Sequence, residues 1–146
     1  MPGNDGTGPG TRLTGAQLER HFARYGWTYE RVGGAENIWQ TGFSEDSAEF
    51  DIFIQLTDEW IIFMLYPFTL RPEGAARGRV AERLATLNYE LTGAKAGLDE
   101  DGDTFLAIEL PVEDFAYSHF RTALDQLAGY AHEHHMEIEL LATGGA

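Results

Sequence analysis

Two short stretches of this 146-residue chain hold side chains of the types that perform metal or acid–base chemistry. LDEDGDTFLAIELP, residues 98–111, sets Asp99, Glu100, Asp101 and Asp103 around Gly102, enough carboxylate oxygen for a hard cation. AHEHHM, residues 131–136, gathers His132, His134 and His135 beside Glu133. An EF-hand loop needs D-x-[DN]-x-[DN]-G and a glutamate at its twelfth position. Counted from Asp99, the glycine falls fourth instead of sixth and Leu110 stands twelfth. A zincin helix needs H-E-x-x-H, and here Met136 occupies the place of the second histidine. His132 and His135 can still share one helical face. A metal held by that pair, or by the 99–103 turn, is therefore the alternative reading. The plainer reading of the histidines is a solvated last turn, where imidazole suits the helix dipole. No G-x-S-x-G, phosphate loop, dinucleotide fingerprint or serine–base pairing is present. The expectation is a protein that is not an enzyme and has no cofactor.

The acidic stretch reads better as the tip of a β-hairpin. A three-residue loop places its last residue in the left-handed region, which glycine enters without strain. With Glu100-Asp101-Gly102 as the loop, Ala94, Ala96 and Leu98 share a face with Leu106, Ile108 and Leu110. A two-residue Asp101-Gly102 turn would strand Leu106 and Ile108 beside Lys95, and register follows the apolar pattern. The chosen register makes Asp99 and Asp103 direct neighbours, a like-charge contact that a loosely bound cation would relieve.

The elements that position these residues follow from the apolar spacing. Thr14 with Gln17 makes a capping box and Leu13 with Leu18 a hydrophobic staple, predicting a helix over 15–25 that stops at Gly26. WTYERV is a weak extended segment and NIWQTGF, 37–43, a strand. SEDSA is a polar loop. EFDIFIQL alternates cleanly, and WIIFMLY is apolar on both faces. A helix follows over 71–88, with Val80, Leu84 and Leu87 as its stripe. Two strands flank the acidic turn. A last helix over about 113–134 buries Phe120, Leu124, Leu127 and Ala131, and the alternation of MEIEL favours a short strand after it. The fold class is α+β: an antiparallel sheet with helices on one side, in the order α-β-β-β-α-β-β-α. One domain spans 13–141, between disordered tails at 1–12 and 142–146.

The sheet has an unusual second face. A turn at Thr57-Asp58 pairs Ile54 with Ile61, Ile52 with Phe63 and Phe50 with Leu65, all beneath the helices. The opposite face then carries Phe53, Trp60, Ile62 and Met64, joined by Phe105. An antiparallel sheet normally wets one face, so this one calls for cover: the chain itself, a second copy, or a client. Large apolar patches mark interaction sites, and aromatic residues and methionine favour them. These five residues are the candidate partner-binding surface. The arginines at 71, 77, 79 and 83 form a second candidate surface.

Composition bounds the partners. The net charge is −14, with only ten lysines and arginines, which disfavours nucleic acid and anionic membranes because both require cationic contacts. The longest apolar run, WIIFMLYPF, is nine residues, against roughly twenty for a membrane span. There is no cysteine and no signal-peptide pattern. The expected location is the cytoplasm.

The run from FDIFIQLTDEWIIFMLY through RVAERLATLNYELTGAKAGLDEDGDTFLAIELP resembles the YbjN-type family, also called bacterial sensory-transduction-regulator proteins. LATLNYELTGAKAGLDEDG and FLAIELP carry most of the likeness, which covers about 14–135. That resemblance implies the fold of class I type III secretion chaperones, small acidic homodimers that bind extended client segments on apolar patches. It implies a protein-binding, chaperone-like or regulatory adaptor module. Asn88 matches the family's asparagine after the second helix, where it is expected to end that helix.

Overall fold

The computed structural model describes residues 11–144. Helix α1, Gly15–Tyr25, begins at the predicted capping box: Thr14 Oγ1 accepts the Gln17 N–H, and the Gln17 side chain accepts the Thr14 N–H. It ends at Gly26 in the left-handed conformation, φ +96°. Six strands follow: β1 Glu30–Arg31, β2 Ile38–Glu45, β3 Ala48–Leu56, β4 Trp60–Leu65, β5 Lys95–Leu98 and β6 Thr104–Pro111. Helix α2, Ala75–Glu90, separates β4 from β5, and α3, Tyr117–Ala142, closes the chain. The strands form one antiparallel sheet in the order β1-β2-β3-β4-β6-β5. The predicted α+β class and its helix–strand sequence hold, with the two-residue β1 as an addition.

All three helices pack on one face. Ile52, Ile54, Ile61, Phe63, Leu65, Leu106 and Ile108 of that face are buried in a single core with Leu18 and Phe22 of α1, Val80, Leu84 and Leu87 of α2, and Phe120, Leu124 and Leu127 of α3. Fully burying a side chain of this size stabilises the fold by about 1.5–3 kcal/mol.

Five local readings are corrected. SEDSA is a two-residue turn: Glu45 pairs with Ala48, and Asp46 and Ser47 both take positive φ. That is the handedness matching the twist of a tight hairpin. The β3–β4 hairpin turns one residue later than Thr57-Asp58, so Ile54 faces Phe63, Ile52 faces Leu65 and Leu56 faces Ile61. Thr57 drives the change, its Oγ1 accepting the Trp60 N–H at 2.9 Å. The pairing shifts by two residues, so every side chain keeps its predicted face. MEIEL continues α3, because Ile138 and Ala142 extend the buried stripe of Leu127 and Ala131 at helical spacing. The helix starts at Tyr117, later than predicted.

Asn88 is the fifth correction. It does not end α2, which runs to Glu90. Its side chain instead reaches β5, donating to the Ala96 carbonyl at 2.9 Å and accepting the Ala96 N–H at 2.7 Å. Replacing Asn88 with alanine is expected to lose about 1–3 kcal/mol, the range for stranding shielded backbone groups. Hydrogen exchange at the Ala96 amide should accelerate more than that of the β3 and β4 amides.

Of the predicted tails, residues 1–10 and 145–146 lie outside the described residues. Thr11 accepts the Asp114 N–H at 2.7 Å and Arg12 bridges to Glu113. Ala142 belongs to α3.

Candidate protein-binding surface

The β-ladder brings the five candidate residues together on the face away from the helices. Phe53 on β3 lies opposite Met64 on β4, which lies opposite Ala107 on β6. Ile62 and Trp60 continue the same row of β4, beside Glu109 and Pro111. Phe105 stands two residues before Ala107 and opposite Gly97. A Cβ at Gly97 would sit 3.3 Å from the Phe105 ring, so the glycine leaves the space that ring occupies. Directly opposed residues on one face lie about 4.5–5.5 Å apart, which makes the five side chains a continuous strip.

The strip is separate from the core. None of the five belongs to the buried cluster or to the half-buried side chains packed against it. Trp60 is 46% exposed, and Phe53, Ile62, Met64 and Phe105 are half-buried among their sheet neighbours. The rim is mostly acidic or neutral: Asp51 and Gln55 flank Phe53, and Lys95 pairs with Glu109 at 3.0 Å. An ion pair this exposed contributes little, about 0–1 kcal/mol.

The two metal readings fare differently. The 99–103 hairpin has the predicted register, with Asp99 donating its N–H to the Asp103 carbonyl and Gly102 at φ +90°. Two of its carboxylates, Asp99 and Asp103, are already occupied. The Tyr66 hydroxyl reaches Asp99 Oδ2 at 2.8 Å and Asp103 Oδ2 at 3.0 Å. Arg71 makes a two-pronged contact with Asp103 at 3.0 and 2.9 Å. Asp99 Oδ1 accepts the N–H groups of Asp101 and Asp103. Tyr66, unremarked in sequence, and Arg71, read there only as part of an arginine surface, therefore relieve the like-charge contact that a cation was expected to relieve.

His132 and His135 are not brought together on a common ligand. His135 packs edge-on against Phe50, ring centres 4.8 Å apart, and against Phe68. His132 meets Glu45 Oε2 at 2.8 Å and lies 3.9 Å from Asp46 Oδ2. The Glu45 carboxylate holds the His132 imidazole above its ordinary pKa by accepting a hydrogen bond from its ring N–H, which favours the protonated form. Among the four arginines, Arg71 is taken by Asp103, and Arg83 by Glu137 at 2.6 Å and Glu90 at 3.0 Å.

The acidic turn carries a pH signature. Asp99 is held below the usual carboxylate range chiefly by the Asp103 N–H, and Asp103 chiefly by Arg71. Depressed native values mean stability that is present at neutral pH. It begins to be lost as pH falls past the ordinary aspartate value of about 3.9 and is gone below the native values. Asp103→Asn should flatten that acid limb of urea midpoint against pH while leaving the neutral-to-alkaline limb parallel to wild type.

Among the described residues, no helix is long and apolar enough to cross a membrane. Among curated protein sequences, none matches this chain. Of the solved structures, YbjN from E. coli, there called a candidate transcription regulator, superposes with a TM-score of 0.61. It is 19% identical, over 85% of this chain and 93% of that one. The heterodimeric ExoU–SpcU complex from the type III secretion system of Pseudomonas aeruginosa gives 0.55 at 16% identity, covering 86% of this chain and 97% of that one. The HopA1–SchA chaperone–effector complex gives 0.55 at 14% identity, over 80% and 88%. These likenesses establish a shared fold. The sequence pattern of YbjN, described as a candidate bacterial sensory transduction regulator, matches residues 14–139, and this chain belongs to that family.

Proposed function

We propose that this protein is a non-enzymatic protein-binding module, chaperone-like or a regulatory adaptor. It acts as a homodimer and takes its protein client through the strip of Phe53, Trp60, Ile62, Met64 and Phe105. The observation that carries the reading is that these five apolar side chains adjoin one another on one sheet face and take no part in the core. Apolar surface of this kind gains free energy when a second molecule excludes water from it, at about 25 cal/mol per Å². Trp60 is the natural anchor, since tryptophan, with tyrosine and arginine, is enriched among the residues that dominate interface energetics. The shared fold with structures solved as a chaperone–effector complex and as the ExoU–SpcU heterodimer supports a macromolecular partner.

Analytical ultracentrifugation tests the proposal. Wild type is expected to sediment as a dimer. Trp60→Ser and Ile62→Ser should each weaken self-association or client binding by about 2 kcal/mol, roughly thirtyfold, the scale of an interface hot spot. Their circular dichroism and urea midpoints should remain near wild type. A wild type that stays monomeric at high micromolar concentration, with both variants merely unfolding, would place these residues in the core and end the proposal.

A further inference from the structure

We propose that Glu45, Asp46 and His132 form a binding site for a divalent transition-metal ion of the zinc class. Glu45 ends β2, Asp46 is the first residue of the two-residue turn into β3, and His132 lies on α3, 87 positions from Glu45. The fold brings one donor atom from each to within 4.8 Å of the others. His132 Nδ1 is 2.8 Å from Glu45 Oε2 and 3.9 Å from Asp46 Oδ2.

These spacings suit one small ion. Zinc binds nitrogen and carboxylate oxygen at about 2.0–2.2 Å, so two donors on one ion lie no more than about 4.4 Å apart. The widest gap closes by side-chain rotation, since the His132 and Asp46 side chains are 62% and 66% exposed. The backbones beneath them are fixed. Glu45 is paired across the hairpin with Ala48, and Ala131, next to His132, is buried.

Donor chemistry selects the ion. One imidazole with two carboxylates suits zinc, cobalt or nickel, whereas calcium and magnesium prefer oxygen alone. Two carboxylates and a neutral imidazole balance the charge of a divalent cation. Among the described residues no lysine or arginine pairs with Glu45 or Asp46. The ion would take the position of the proton that His132 shares with Glu45, and water would complete the coordination. The strongly negative net charge raises the local concentration of cations.

Isothermal titration of chelator-stripped full-length protein with zinc chloride tests the site. One ion per chain is expected to bind with micromolar affinity, and cobalt should give a visible absorption band. His132→Ala and Asp46→Asn should each weaken zinc binding by at least about tenfold, whereas His134→Ala should leave it unchanged. Zinc should raise the thermal midpoint, and excess EDTA should return it. Absence of heat at about 100 µM zinc, far above a micromolar dissociation constant, would overturn the proposal. So would undiminished binding in either ligand variant, or equally tight binding of calcium.

Discussion

Phe120→Ala is expected to destabilise the protein by about 3–5 kcal/mol, the range for truncating a buried phenylalanine. Phe120 is fully buried and stands where α1, α3 and β4 converge. Its ring meets Phe22 edge-on at 5.0 Å, Tyr25 and Phe63 edge-on at 6.0 Å, and lies 5.7 Å from His21. The walls of the resulting cavity come from three separate elements. Phe63 is pinned in the sheet between Ile54 and Ile108, and Phe22 lies in a capped helix. None can collapse inward without disturbing its own hydrogen bonds, so the cavity term should be felt in full. Domains of this kind are typically stable by about 5–15 kcal/mol, so the variant should lose roughly a fifth or more of its stability. Urea unfolding followed by tryptophan fluorescence measures it. A loss under about 1 kcal/mol would mean that the helices repack freely over the sheet, contrary to this packing account.

The second large effect is expected from a substitution that barely changes shape. Thr104 begins β6 and is completely buried. Its Oγ1 accepts the Thr69 N–H at 2.8 Å and lies 2.9 Å from Thr69 Oγ1. Thr69 donates its own hydroxyl to the Leu70 carbonyl at 2.8 Å, which leaves the Thr104 hydroxyl as the donor between the pair. Thr104→Val keeps the volume but strands the Thr69 N–H in the interior. The expected loss is about 1–3 kcal/mol, the desolvation penalty of an unmatched polar group. It should appear as a lowered urea midpoint with unchanged slope. A loss below about 0.5 kcal/mol would show that the Thr69 N–H finds another acceptor, so that the buried pair is not what holds this junction.

Local signals were readable in the sequence; long-range ones were not. The Thr14–Gln17 capping box and the Gly102 loop depend on neighbouring residues, and both stand as read. The β3–β4 turn was displaced, yet the faces survived because the shift was two residues. That parity is why the strip of Phe53, Trp60, Ile62, Met64 and Phe105 could be seen before any fold was known. MEIEL misled because its alternation does not report its burial: only Ile138 continues the helical stripe into the core, while Met136 and Leu140 stay exposed. Asn88 misled for a related reason. A residue that can end a helix can equally bond to a distant backbone, and nothing in its neighbours marks Ala96 as its target. Tyr66 bridging two aspartates more than thirty positions away, and His132 meeting Glu45 across 87, are products of topology. No motif announces them.

The amide clasp from α2 onto β5 limits how another polypeptide can be recognised. A foreign strand annexing that margin would need the hydrogen-bonding groups of Ala96, and both are already spoken for by Asn88. Such tethering also guards against runaway stacking of sheets end to end. On that side of the sheet a visitor must therefore approach broadside and be chosen by the shape and greasiness of its side chains, while its main chain goes unread.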